Sequence, residues 1–74
     1  MPKLPIISAQ QCIRALQRAG FTVMRQKGSH IIMDNGQGRV VVVPNHREIT
    51  RGTLRSIIAL SGLTEEEFLE LLKG

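Results

Sequence analysis

Residues 21–44 decide the fold, and they read FTVMRQKGSHIIMDNGQGRVVVVP. Three runs in this stretch contain the β-branched and apolar residues that favour strands, and Gly-containing segments separate the runs. The predicted strands are residues 21–26, 30–34 and 39–43. The segments 27–29 and 35–38 are predicted turns, since Gly and Asn tolerate the positive φ of tight turns. The stretch therefore predicts a three-stranded antiparallel sheet that ends at Pro44.

Helix start and stop signals lie on both sides of this sheet. Ser8 and Gln11 have the spacing of a capping box, and Thr64 and Glu67 repeat it. Thr50 is a candidate cap for a helix between these two. The three predicted helices end near Gly20, Gly62 and Leu72.

The elements predict one domain over residues 1–74, with residues 1–7 as a lead-in segment. The order α-β-β-β-α-α indicates an α+β fold in which the helices pack on one face of the antiparallel sheet. This order resembles the double-stranded-RNA-binding domain with an additional C-terminal helix.

Composition excludes several kinds of chemistry. The 74-residue chain has a single cysteine, Cys12, so it has no internal disulfide and fits a reducing compartment. One Cys and two His do not complete a four-ligand zinc shell. No apolar run approaches the roughly 20 residues of a membrane span, and the first residues do not form a signal peptide. We therefore expect a cytoplasmic protein with no cofactor, no metal and no membrane partner.

Positive charge is concentrated in the first 64 residues. The chain has 10 Lys and Arg against 6 Asp and Glu, and four of those acids lie within residues 65–74. The basic part of the chain would attract a polyanion in a salt-dependent manner. The candidate phosphate contacts are Arg25, Lys27, Arg47, Arg51 and Arg55. The alternative is that these side chains are solvated and have no partner.

Both histidines are expected at the same end of the sheet. The second turn predicts that His30 pairs with Val43. His46 then lies just beyond the end of the third strand, near Lys27. These three polar side chains form the best chemical candidate in the sequence.

A histidine in this position suits the cleavage of RNA. Imidazole is a side chain that can accept or donate a proton at neutral pH. RNA supplies its own nucleophile, the 2′-OH, so a base and a few cations suffice without a metal and leave a 2′,3′-cyclic phosphate. The simpler alternatives are a polar surface residue at His30 and, for His46, a hydrogen bond with a backbone carbonyl.

Several segments together carry the pattern of a known family. They are Gly20-Phe21, RQKGSH at residues 25–30, Val42-Val43-Pro44 with His46, GTLRSII at residues 52–58, Gly62-Leu63 and Glu67-Phe68. The combination closely resembles the HicA toxin family and covers the chain from about residue 8 to residue 70.

The resemblance implies a double-stranded-RNA-binding-like fold and a metal-independent mRNA interferase, the toxin of a type II toxin–antitoxin system. It implies that His30 is the catalytic residue and that Lys27 and Ser29 belong to the motif around the active site. His46 matches the Pro-x-His position of the family. The implied partners are mRNA and a HicB-type antitoxin that masks the active surface. The chain would be a monomer alone and part of a hetero-oligomer with the antitoxin.

Two other functions are compatible with the same residues. A non-catalytic RNA-binding module would use the basic surface and leave the RNA intact. A small interaction domain would present its arginines to an acidic protein.

Overall fold

The computed structural model describes residues 3–74 and contains six elements. They are α1 (Ala9–Arg18), β1 (Thr22–Lys27), β2 (His30–Asp34), β3 (Val40–Pro44), α2 (Arg51–Ser61) and α3 (Glu65–Lys73). The predicted α-β-β-β-α-α order and the α+β class are confirmed. No helix among residues 3–74 is long and apolar enough to cross a lipid bilayer.

The helix ends follow the predicted caps. The Ser8 hydroxyl accepts from the Gln11 amide at 3.2 Å, and the Gln11 side chain accepts from the Ser8 amide at 2.9 Å. Thr64 and Glu67 form the same reciprocal pair at the start of α3. Each cap satisfies amides that the helix leaves unpaired, which is worth about 1 kcal/mol. Local sequence signals therefore set where these helices begin.

The three strands form an antiparallel sheet in the order β1-β2-β3. The register predicted for the second hairpin is wrong by one residue, because His30 pairs with Pro44 and not with Val43. The Asn35 amide donates to the Arg39 carbonyl at 3.1 Å, and the Asn35 side chain accepts from the Arg39 amide at 3.0 Å. These bonds pair residues 35 and 39, so the loop contains three residues instead of four. His30 and Pro44 consequently share the last position of the ladder.

One face of the sheet is buried beneath the helices. The buried residues of β2 and β3 alternate with more exposed ones, and they are Ile31, Met33, Val41 and Val43. Helices α1 and α2 contact the sheet, and α3 packs on α1 and α2. Phe68 of α3 is fully buried in the same core. The opposite face of β2 and β3 carries His30, Val40 and Val42, and it is exposed.

Two residues of the predicted lead-in belong to the core. Leu4 and Ile7 are buried, and the Ile49 amide donates to the Ile7 carbonyl at 2.7 Å. This bond joins the lead-in to the loop before α2 in a short antiparallel bridge. Met1 and Pro2, the first residues of the predicted segment, lie outside the described residues.

Candidate active site

A two-residue turn places Lys27 directly opposite His30. Gly28 has a φ of 60° whereas Ser29 does not have a positive φ, which is the pattern of a type II′ hairpin turn. The turn makes Lys27 and His30 the last cross-strand pair of β1 and β2. Directly opposed residues share a face of the sheet, with Cβ atoms about 5 Å apart. The ammonium group of Lys27 can therefore reach the same ligand as the imidazole of His30.

A β-bulge turns Arg25 to this same face. Val23 pairs with Met33 on the core side of the sheet, and Arg25 pairs with Ile32 on the other side. Met24 is the extra residue between them, and it is 62% exposed. Without a bulge, residues 23 and 25 would share a face, because side chains alternate along a strand. The bulge therefore brings Arg25 to the same face as Lys27 and His30.

The two histidines line one open pocket of about 450 Å³ at the end of the sheet. The pocket is lined by His30, Val42, Pro44, His46, Glu48, Ile49, Thr50 and Thr53. The structure thus brings together the two histidines that the sequence placed at one end of the sheet. Its apolar walls come from β3 and the loop that follows, and its hydroxyl groups come from the start of α2.

Backbone hydrogen bonds hold the loop that carries His46. The Asn45 amide donates to the Ser29 carbonyl at 2.6 Å, which ties the loop to the turn beside His30. The His46 amide donates to the Pro44 carbonyl at 2.8 Å, and its carbonyl accepts from the Ala9 amide at 3.0 Å. The imidazole itself makes no hydrogen bond with any of residues 3–74. The backbone at position 46 is therefore fixed while the side chain is available to a ligand.

Two of the five predicted phosphate contacts are bonded to other parts of the protein. Arg51 donates from Nε to the Leu4 carbonyl at 2.6 Å, and Arg55 pairs with Glu65 at 3.4 Å. Neither Arg51 nor Arg55 lines the histidine pocket. Arg47 follows His46 and lines a neighbouring pocket of about 300 Å³ beside the first residues of α1. Of the other three predicted contacts, Lys27 pairs with His30, Arg25 lies on the same face of the sheet, and Arg47 lines a pocket with His46.

Sequence reasoning missed Glu48, Thr50 and Thr53 as residues of this pocket. Thr50 was identified only as a helix cap, and its hydroxyl does accept from the Thr53 amide at 3.3 Å. Glu48 stands two positions after His46 in a segment with few acids. That spacing was the available signal, but only the fold of the loop shows that Glu48 lines one pocket with His30.

Cys12 is not a candidate nucleophile. Its side chain is fully buried, and burial raises the pKa of the Cys12 thiol from 9.0 to about 12. The thiol is therefore protonated and inaccessible at neutral pH. Cys12 belongs to the buried face of α1.

No three of the described His, Cys, Asp and Glu side chains form a group that could hold a metal ion. The site is thus an exposed end of a sheet with two imidazoles, one carboxylate and neighbouring cations. Such a set of groups can bind a phosphate and move protons.

No curated protein sequence gives a significant match to the chain. The family model described as the HicA toxin of bacterial toxin–antitoxin systems matches residues 9–63. The match runs from the first residue of α1 to the second residue after α2 and includes the turn, the bulge and the whole histidine pocket. The chain therefore belongs to the HicA toxin family.

Proposed function

We propose that the chain is an endoribonuclease that cleaves mRNA and that His30 is its general acid or base. The observation that carries the proposal is the position of His30, at the exposed end of the sheet, opposite Lys27 and in one pocket with His46. Membership of a toxin family gives this arrangement a cellular role, because mRNA cleavage stops growth.

The cleavage needs no nucleophile from the protein. A proton leaves the 2′-OH of the RNA, the 2′-oxygen attacks the adjacent phosphorus, and the bond to the 5′-oxygen breaks. The products are a 2′,3′-cyclic phosphate and a 5′-hydroxyl. His30 takes part in proton transfer, and the ammonium group of Lys27 stabilises the charge that develops on the phosphorane.

Other residues near the pocket would hold the substrate. Arg25 and Arg47 are placed to bind phosphates on either side of the scissile bond, and Ser29 and His46 can donate hydrogen bonds to its oxygens. Arg51 and Arg55 can contact RNA only after they release Leu4 and Glu65.

The proposed partner is a HicB-type antitoxin that covers this face of the sheet. Val42, which lines the pocket of His30, is 43% exposed, and Val40, at the other end of the same face, is 49% exposed, although large apolar side chains of β-strands are normally covered. A protein that binds over these valines would bury them and would block access to His30. The toxin would thus be inactive in the complex.

Incubation of purified protein with end-labelled RNA tests the proposal. The wild-type chain should produce fragments that end in a cyclic phosphate, in the presence or absence of EDTA. His30→Ala should lose this activity and keep its fold, because His30 is exposed. Full activity of His30→Ala, or inhibition by EDTA, would contradict the mechanism. An RNA that is retarded in a gel and remains intact would support the binding module instead.

A further inference from the structure

Glu48 is the acid in the lining of the pocket that holds both histidines. No lysine, arginine or histidine nitrogen of residues 3–74 lies within 4.0 Å of its carboxylate. Its side chain also takes no part in the hydrogen bonds of the described chain, including the cap of α2. Arg47 precedes Glu48 in the chain, and Lys27 lies opposite His30, which lines the same pocket as Glu48. The Glu48 carboxylate thus has no ion pair or hydrogen bond that would explain its position.

A carboxylate in this position should weaken the binding of RNA. It lines the same pocket as His30 and His46, whose neighbours Lys27 and Arg47 are predicted phosphate contacts, and its charge repels phosphate. A carboxylate that has no ion pair or hydrogen bond in the fold and opposes binding is explained if it takes part in the chemistry.

The proposed cleavage requires two proton transfers in one step. A base removes the proton of the 2′-OH, and an acid protonates the departing 5′-oxygen. One imidazole cannot accept the first proton and donate the second at the same moment on opposite sides of the phosphorus. His30 supplies one of these groups, so a second must come from the pocket.

We propose that Glu48 is the general base and that His30, as the imidazolium, is the general acid. This inference rests on the proposed ribonuclease function. The Glu48 carboxylate takes the proton of the 2′-OH as the 2′-oxygen bonds to phosphorus, and His30 gives its Nε2 or Nδ1 proton to the 5′-oxygen as that bond breaks. A carboxylic acid and a neutral imidazole result, and water returns the proton. His46 also lines the neighbouring pocket with Arg47, which suits it to binding a phosphate.

Glu48→Gln tests the role of the carboxylate because it keeps the size of the side chain and removes the base. We expect the rate of cleavage to fall by about 10²- to 10⁴-fold, the usual contribution of a positioned proton-transfer group. Glu66→Gln is the matched control, since it removes the same charge from the exposed surface of α3 and should leave the rate unchanged. Binding of intact RNA, measured with each variant in the His30→Ala background, should be equal or tighter for Glu48→Gln.

A bystander carboxylate predicts the opposite result for cleavage. If Glu48 only repels phosphate, Glu48→Gln should bind RNA more tightly and cleave at the wild-type rate or faster. Either rate would overturn the proposal. Glu48→Asp keeps the charge with a shorter reach, so it should retain an intermediate rate.

A substrate with a 5′-sulfur in place of the 5′-oxygen separates the two roles. A thiolate leaves without an acid, so this RNA should restore cleavage by His30→Ala and should not restore cleavage by Glu48→Gln. If the 5′-sulfur RNA restores cleavage by Glu48→Gln and does not restore cleavage by His46→Gln, His46 is the base and the assignment to Glu48 is wrong.

The same experiments distinguish a failure of the ribonuclease function from a failure of the role of Glu48. A wild-type chain that leaves RNA intact would refute the ribonuclease function and the role of Glu48 together. Wild-type cleavage that depends on His30 and is unaffected by Glu48→Gln would refute only the role of Glu48.

Discussion

Gly28 is the residue on which the pairing of Lys27 with His30 depends. Its φ of 60° lies in the region that L-amino acids with a Cβ rarely adopt. Nothing lies within 4 Å of a Cβ added at this position, so steric contact with neighbours does not contribute. Any effect of a substitution there must come from the backbone alone.

Alanine at Gly28 and at Gly52 should therefore have opposite effects. A Cβ at Gly52 also meets nothing within 4 Å, but this glycine lies in α2. Gly28→Ala should destabilise the fold by about 1–2 kcal/mol and reduce RNA cleavage, because the turn must change and separate Lys27 from His30. Gly52→Ala should stabilise the fold by about 0.5–1 kcal/mol, since alanine favours the helix. Urea unfolding of both variants measures the two changes, and a loss of stability in both would contradict this explanation.

Cys12 makes the stability of the fold depend on pH in the alkaline range. The unfolded thiol loses its proton near its ordinary pKa of 9.0, whereas burial raises the pKa of the folded thiol to about 12. Between these values the folded state holds one proton more than the unfolded state, so stability falls as pH rises. The contribution is complete below pH 9.0 and is lost progressively up to about pH 12.

Comparison of the wild type with Cys12→Ala isolates this effect. The wild type should lose about 1.4 kcal/mol more than the variant for each pH unit above the unfolded thiol pKa. Urea unfolding of each protein at one pH below 9.0 and at a second pH about one unit above 9.0 gives the change in its free energy of unfolding between the two pH values. Parallel losses in the two proteins would show that the Cys12 thiol does not stay protonated in the fold.

At the scale of elements, the helices were more predictable than the sheet register. Ser8, Thr50 and Thr64 cap their helices as predicted, because a cap is decided within four residues of sequence. The pairing of His30 with Pro44 was predicted one residue off, since it depends on hydrogen bonds that Asn35 makes within the loop. Such bonds are decided by the conformation of the loop and not by its composition.

The candidate site, like the fold, was predictable from the sequence only in part. Lys27, His30 and His46 could be placed at one end of the sheet from the turn and the strand lengths. Glu48 could not be placed, because its position depends on how the loop from β3 to α2 folds back. The bulge at Met24 was also missed, since the loose alternation of β1 does not show which residue is extra.

The bulge at Met24 predicts how β1 responds to the deletion of one residue. Deletion of Met24 should preserve RNA cleavage, because residues 23 and 25 already occupy consecutive positions of the ladder. Deletion of Gln26 should abolish cleavage, because it moves Arg25 to the position opposite Ile31 and turns its charge toward the core face. Circular dichroism should show folded protein for the Met24 deletion. Loss of activity in that variant, with the fold intact, would mean that the bulge itself shapes the site.

At the scale of the whole molecule, the four acids of α3 and the candidate site lie on different sides. Helix α3 carries Glu65, Glu66, Glu67 and Glu70, and it packs on α1 and α2 instead of on the sheet. His30 and its neighbouring cations lie on the face of the sheet that these helices do not cover. The negative charge of α3 is therefore kept away from the surface that would meet RNA, and it reduces the net charge of the chain without opposing binding there.

This separation predicts how RNA binding depends on salt. Three of the predicted phosphate contacts can bind RNA without releasing a protein partner, and they are Arg25, Lys27 and Arg47. Arg51 and Arg55, by contrast, are bonded to Leu4 and Glu65. Each phosphate contact on a single strand contributes about −0.7 to the slope of log K against log salt, so three contacts give a slope of about −2. Binding of single-stranded RNA to His30→Ala, which keeps the RNA intact, should show this slope.

Arg25→Gln should make the slope shallower by about 0.7, and Arg14→Gln, on α1, should not change it. A slope near about −3.5, made shallower by Arg51→Gln and Arg55→Gln, would instead mean that both arginines give up their protein partners to bind phosphate.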